Sequence, residues 1–174
     1  MTVEILRYPT DEDWKRCKML ALNTVGKSEV KTVSDAWKRK ILRAEHSPIR
    51  TLMFTIKMEI PYYASVHFCR HKYGVEHFVK SQRNDRQSEY DRTQAPQGQM
   101  VTHIMDINAQ ELMQMSRKRL CKMADPVTRE IMKMIVEKVL KTNPEFTDFL
   151  VKMCSYVGEC KEFQPCGVSD NNER

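Results

Sequence analysis

Long apolar runs are missing from this chain. Nothing in it approaches the roughly eighteen consecutive apolar residues of a membrane-spanning helix, so no membrane partner is expected. Glycine is scarce, with five in 174 residues, and no Gly-x-Gly-x-x-Gly fingerprint occurs. A dinucleotide held on the glycine turn of a Rossmann unit is thereby excluded. Internal repeats, low-complexity tracts and helix-turn-helix or zinc-finger patterns are also lacking. The N-terminal stretch MTVEILRYPTDEDW carries acids where a secretory signal needs a basic and then an apolar run. The expectation is a soluble, cytoplasmic protein.

What is present suffices for one packed core: 41% of residues are apolar, and the chain has the length of one ordinary domain spanning 1–174. About the last eight residues, GVSDNNER, should fray. Six cysteines in an unsecreted chain read as thiols rather than as a disulfide framework. The net charge of +6 suits an anionic partner, but 29 basic residues are mixed with 23 acidic ones. A phosphorylated small molecule fits such a surface at least as well as nucleic acid.

Patterning predicts an α+β protein, with helices packed on a small, mainly antiparallel sheet. Thr2 to Tyr8 reads as an edge strand. Thr10 and Asp13 form a capping box that opens a helix to about Val25, with Trp14, Cys17, Leu20 and Ala21 inward. Ser34 caps a helix through about Glu45 that buries Trp37, Ile41 and Leu42. Leu52 to Ile60 alternates strictly and ends at Pro61, the clearest strand in the chain. Tyr62 to Lys72 has helical spacing. Lys80 to Gln94 contains no aliphatic residue. After the turn at Ala95 to Gly98, Met100 to Ile107 reads as a second strand. Asn108 with Glu111 gives another capping-box signature, opening a helix to about Met123. Asp125-Pro126 opens a helix with Ile131, Met134, Ile135, Lys138 and Val139 as its stripe, and Pro144 to Cys154 reads as one more. The methionines of the later elements (Met105, Met113, Met115, Met123, Met132, Met134) read as adaptable core or subunit interface.

Two polar stretches could carry chemistry. One is Arg70-His71-Lys72; the other is the run containing Arg83, Arg86 and Arg92. Basic residues at a helix end complement its dipole, and a charged run is ordinarily a solvated loop. Together with Arg119, inside a predicted helix, they also form a set of guanidinium groups suited to phosphate and carboxylate oxygens.

Taken in order, these residues resemble the flavin-dependent thymidylate synthases. In that family an alternating strand and a helix lead into Arg-His-Arg, followed by a serine and an arginine. Here they lead into Arg70-His71-Lys72 and then Ser81-Gln82-Arg83. Ser47-Pro48 resembles the family's Thr-Pro, and Arg92 stands shortly before Ala95-Pro96 as an arginine does before the family's Leu-Pro. Asn108-Ala109-Gln110 resembles Asn-Ala-Arg, Arg119 falls where a further arginine is expected, and Glu130-Ile131 resembles a Glu-Ile pair. The resemblance covers about Glu45 to Leu150, and its specificity lies in the series rather than in any one element.

The resemblance implies FAD held by Ser47, Arg70, His71, Lys72, Asn108 and Gln110. It implies dUMP held by His67, Ser81, Gln82, Arg83, Arg92 and Arg119, with Arg119 catalytic against the uracil edge and Arg83 with Arg92 on the phosphate. The implied reaction is reductive methylation of dUMP to dTMP, with methylenetetrahydrofolate and NADPH as co-substrates. A homotetramer with shared sites is implied as well. Five departures stand out: Lys72 replaces the second arginine of the motif, the spacing from it to Ser81 is one residue longer, Gln110 replaces an arginine near the flavin, and Thr51 follows Arg50 where the family has an acid and a histidine. Only eight residues separate Arg83 from Arg92, a much shorter segment than usual.

Hydroxymethylation of a pyrimidine nucleotide, a catalytically silent relative and a basic nucleic-acid-binding protein are the competing readings. The last is disfavoured by Asp85, Glu89 and Asp91 among the arginines. Cys154, Cys160 and Cys166 are separated by five residues each, wider than paired zinc ligands, and would need a distant fourth ligand such as His103. They are read as thiols and no metal is assigned. His77 is read as structural or exposed.

Overall fold

The computed structural model describes residues 1–28, 32–86 and 91–167. Four strands form one antiparallel sheet: β1 (Thr2–Arg7), β2 (Met53–Pro61), β3 (Val75–Val79) and β4 (Met100–Asn108), in the order β1-β2-β4-β3. The helices are α1 (Asp11–Asn23), α2 (Asp35–Arg43), α3 (Tyr62–Phe68), α4 (Ala109–Arg119), α5 (Pro126–Thr142) and α6 (Met153–Val157). The expected α+β class is therefore observed, and no described helix is long and apolar enough to cross a membrane.

The sheet's two faces follow from alternation. Register pairs Phe54 with Ile107, Ile56 with Met105, Met58 with His103 and Ile60 with Val101, all buried beneath the helices. The opposite face is polar, with Thr55 donating to Asp106 at 2.5 Å and Thr102 to Glu59 at 2.7 Å. Phe146 meets Phe54 edge-on at 5.5 Å between ring centres and joins Trp14 to this core. Trp14 donates to the buried Glu145 at 2.8 Å, and Asn143 donates to the Pro9 carbonyl at 3.0 Å, pinning α1 to the turn after α5.

Helix starts obey local chemistry. Thr10 and Asp13 make a full capping box, Ser34 caps α2, and Asp125 caps α5 with Pro126 in its first turn. Other boundaries differ from the sequence expectations. The predicted helix from Tyr62 to Lys72 stops at Phe68, because the chain must turn back to lay β3 against β4. β3 itself was not expected: it is short and at the sheet edge, and its outward Phe78 masks the alternation. α4 ends at Arg119 rather than Met123, and on α5 Met132 is buried while Lys138 is exposed. Pro144 to Cys154 is not one helix but a single 3-10 turn, Pro144–Phe146, followed later by α6. Trp37, Leu20 and Ala21 are only half-buried. Glu89 and the end of the chain from Val168, where fraying was expected, lie outside the described residues.

Phe54 is fully buried at the centre of the sheet. Phe54→Ala should destabilise the protein by about 3–5 kcal/mol, read as a lower midpoint in urea unfolding; a midpoint within error of the parent would contradict this packing.

Candidate active site

The site grows from the point where β4 passes into α4. Asn108 ends the strand and caps the helix, its side-chain oxygen accepting from the Glu111 backbone N–H at 2.9 Å. Glu111 does not complete the capping box. Its carboxylate reaches His71 instead, 2.7 Å from Nδ1, with both side chains largely buried. Across the ring, Arg119 Nε donates to His71 Nε2 at 3.1 Å. An arginine nitrogen only donates, so His71 Nε2 accepts and the ring proton sits on Nδ1, facing Glu111. Arg119 Nη2 donates to the His67 carbonyl at 2.6 Å. Nη1 has no hydrogen-bond partner among the described residues. Burial, and then the Arg70 charge, lower the Arg119 pKa. Arginine remains charged even so.

A second chain of contacts continues behind His71. The His71 carbonyl accepts from His77 Nε2 at 2.9 Å, and His77 Nδ1 lies 3.0 Å from His103 Nε2. His77 uses Nε2 as donor, so Nδ1 accepts and His103 donates from Nε2. His103 Nδ1 then needs no proton, which suits its buried, partnerless position. Burial, with His77 second, pushes the His103 pKa down to about 4. Cys69, His77 and His103 bring ligand atoms within 4.8 Å of one another, the one such group of three among the described residues. A metal on His103 Nε2 would force a proton onto Nδ1 with no acceptor for it, so the geometry favours a hydrogen-bonded chain here.

Two clefts adjoin the Glu111–His71 pair. The first, of about 380 Å³, is lined by Arg70, His71, Lys72, Arg117 and Lys118. The second, of about 290 Å³, is lined by Arg50, Gly74, Asn108 and Gln110. Tyr73, Glu111 and Gln114 border both. Gly74 is held at φ +74°, and a Cβ there would lie 2.4 Å from the Asn108 amide. Only glycine lets the chain pass this close to the α4 cap. Arg50 donates to Gln110 at 2.5 Å, bringing a guanidinium to the position where Gln110 itself lacks one. Arg117 donates to Glu45 at 2.5 Å and lies 3.7 Å over the Tyr156 ring, while Tyr156 donates to the same carboxylate at 2.7 Å. Burial raises the Glu45 pKa, but these hydrogen bonds outweigh it and the net shift is downward. Glu45 also adopts φ +46°, uncommon outside glycine.

The structure thus places Arg70, His71 and Lys72 in one cleft and Asn108 with Gln110 in its neighbour. Ser47 is exposed at the head of the 3-10 turn Ser47–Thr51 and borders neither. Ser81 and Arg83 line a separate cleft of about 380 Å³ with Lys80 and Arg86. Arg83 pairs there with Asp85 at 2.7 and 2.9 Å. Gln82 is half-buried, and Arg92 is exposed, its backbone N–H on Asn84 at 3.0 Å. Within one protomer, therefore, Arg83 and Arg119 occupy different places. Sequence reasoning missed Glu111, Arg50, Arg117 and the linking role of His77. Glu111 was visible but was read as a capping residue.

With this geometry in hand, the fold is that of the flavin-dependent thymidylate synthases. Thymidylate synthase X (ThyX) from Helicobacter pylori, crystallised with FAD and dUMP, superposes with a TM-score of 0.66 at 13% identity, covering 86% of this chain and 99% of that one. A second ThyX structure from the same organism, with FAD and dUMP, covers 87% and 100% at 13% identity and a TM-score of 0.66. The UMP/dUMP methylase PolB from Streptomyces cacaoi, bound to 5-Br dUMP, has a TM-score of 0.66 at 14% identity and covers 87% and 97%. No protein-family model and no characterised protein sequence matches the chain.

His103 carries the pH prediction. Its native pKa, about 4, lies below the ordinary value of 6.5, so the unfolded chain binds the extra proton first as pH falls. Stability should be level above about pH 6.5 and should decline toward pH 4 at up to about 1.4 kcal/mol per pH unit from this group. Urea titrations across that range check it: His103→Leu should flatten the decline, and an unchanged pH dependence would contradict the assignment.

Proposed function

We propose that this chain is a flavin-dependent thymidylate synthase that holds FAD in the two joined clefts and methylates dUMP reductively to dTMP. Methylenetetrahydrofolate is the one-carbon donor and NADPH the reductant in this reading. The observation that carries it is Arg119: two of its nitrogens are fixed on His71 and the His67 carbonyl, and no described residue takes the third.

The residues present suit the flavin. Arg50, Arg70, Lys72 and Lys118 supply cations for a diphosphate, and Asn108, Gln110 and Gln114 supply amides for ring edges. Gly74 lets the chain pass close against the Asn108 cap, which holds the floor of the second cleft in place. When bound, the flavin supplies hydride chemistry that no side chain can. The chain's own part is electrostatic and positional. Arg119 stabilises negative charge on the uracil edge as the ring becomes nucleophilic, and the Glu111–His71 pair keeps it from swinging away. Arg83 leaves its exposed pair with Asp85, a contact of little worth in water, to meet the phosphate together with Ser81. Arg92, Gln82 and His67 complete the nucleotide set of the reading, and Ser47 its flavin set.

Neither His71 nor Arg119 lines the Arg83 cleft, and this favours sites shared between protomers, as in a homotetramer. In that arrangement the phosphate-binding group of one chain faces the Arg119 of another.

The test is single-turnover reaction of the flavin-loaded protein, reduced with NADPH, with dUMP and methylenetetrahydrofolate, followed by product mass. A methylated product is expected. Arg119→Ala should lower the rate by about 10²–10³-fold while flavin content is retained. A hydroxymethylated product would reassign the reaction, and full activity in Arg119→Ala would refute its role.

A further inference from the structure

Four of the six cysteines come together at the far end of α4. Cys121, Cys154, Cys160 and Cys166 line one cavity of about 320 Å³, and none forms a disulfide. They come from three parts of the chain: the turn after α4, helix α6 and the segment that follows it. The three C-terminal cysteines lacked a fourth partner in sequence, where His103 was the candidate. His103 lies in the sheet against His77, and Cys121 fills the fourth place instead.

Thiol sulfurs are soft ligands, and a lining of four selects zinc or an iron–sulfur cluster over hard cations. Four thiolates around a divalent ion, or around an iron–sulfur core, leave the centre anionic. Lys122, Arg129 and Lys133 line the same cavity and offset such a charge. Spacing separates the two kinds of centre. Zinc–sulfur bonds of about 2.3 Å keep any two ligands of one ion within about 4.6 Å. No three of these four sulfurs lie within 4.8 Å of one another, since the only such group among the described residues is elsewhere. A single zinc would therefore have to draw the thiols inward, whereas a polynuclear core holds its sulfur ligands farther apart.

We propose that Cys121, Cys154, Cys160 and Cys166 are the thiolate ligands of a metal centre that ties the C-terminal segment to the end of α4. The consequence reaches the candidate active site, because Cys121 stands two residues beyond Arg119. Other contacts already run the same way: Lys118 pairs with Glu162 at 3.8 Å, and Arg117 stacks on Tyr156. The centre is a positioning device for α4, and no redox step is assigned to it. Metal binding would displace the thiol protons to solvent.

The test needs neither flavin nor nucleotide. Protein purified without oxygen, and the same protein reconstituted with ferrous iron and sulfide or with zinc alone, is assayed for iron, zinc and acid-labile sulfide per protomer. Iron and sulfide in equal amounts identify a cluster, and one zinc identifies a contracted single-ion site; either supports the proposal. Cys160→Ser with Cys166→Ser should lose the metal and the accompanying rise in Tm, whereas Cys69→Ser should keep both. Substoichiometric metal after both reconstitutions, or metal that follows Cys69 rather than Cys160 and Cys166, would overturn it.

Discussion

The hydrogen-bonded chain Glu111–His71–Arg119 is the constraint around which the candidate site is arranged. Glu111 and Arg119 come from the first and last turns of α4 and His71 from the turn after α3, and each is ordered by the next. Glu111 fixes which histidine nitrogen carries the proton, and the histidine then accepts from the guanidinium. Arg119 is half-buried, where unmet donors are costlier than in water. It is satisfied at two nitrogens, and the remaining donor is available to a ligand without reorganisation, which is the condition for strong electrostatic assistance.

The clefts beside this chain owe their shape to backbone chemistry rather than to large side chains. Gly74 passes against the Asn108 cap because nothing larger fits, and Arg50 supplies through Gln110 the positive charge that position 110 does not provide itself. The departures from the thymidylate synthase pattern are therefore partly offset in space by residues distant in sequence. Lys72 remains a simple point charge where a planar donor would bind two oxygens at once.

Much of the fold was legible because its signals are local. Caps at Thr10, Ser34, Asn108 and Asp125 act within one turn, and the alternation in β2 and β4 reports burial directly. What failed depended on distant neighbours. β3 is too short to show a period, and its place is set by pairing with β4. Glu111 obeys the capping pattern in sequence but is claimed by His71, forty positions away. The candidate site was legible as a set of residue types, and Arg70, His71 and Lys72 do share a cleft. Their geometry was not legible, nor was the separation of Arg83 from Arg119, because neither follows from spacing along the chain.

The most direct measurement is the flavin difference spectrum of FAD-loaded protein titrated with dUMP. A nucleotide stacked beside the flavin and held by Arg119 predicts a saturable perturbation, complete at one nucleotide per protomer. Failure to retain FAD, or flavin bands that stay unmoved at saturating dUMP, would contradict the account.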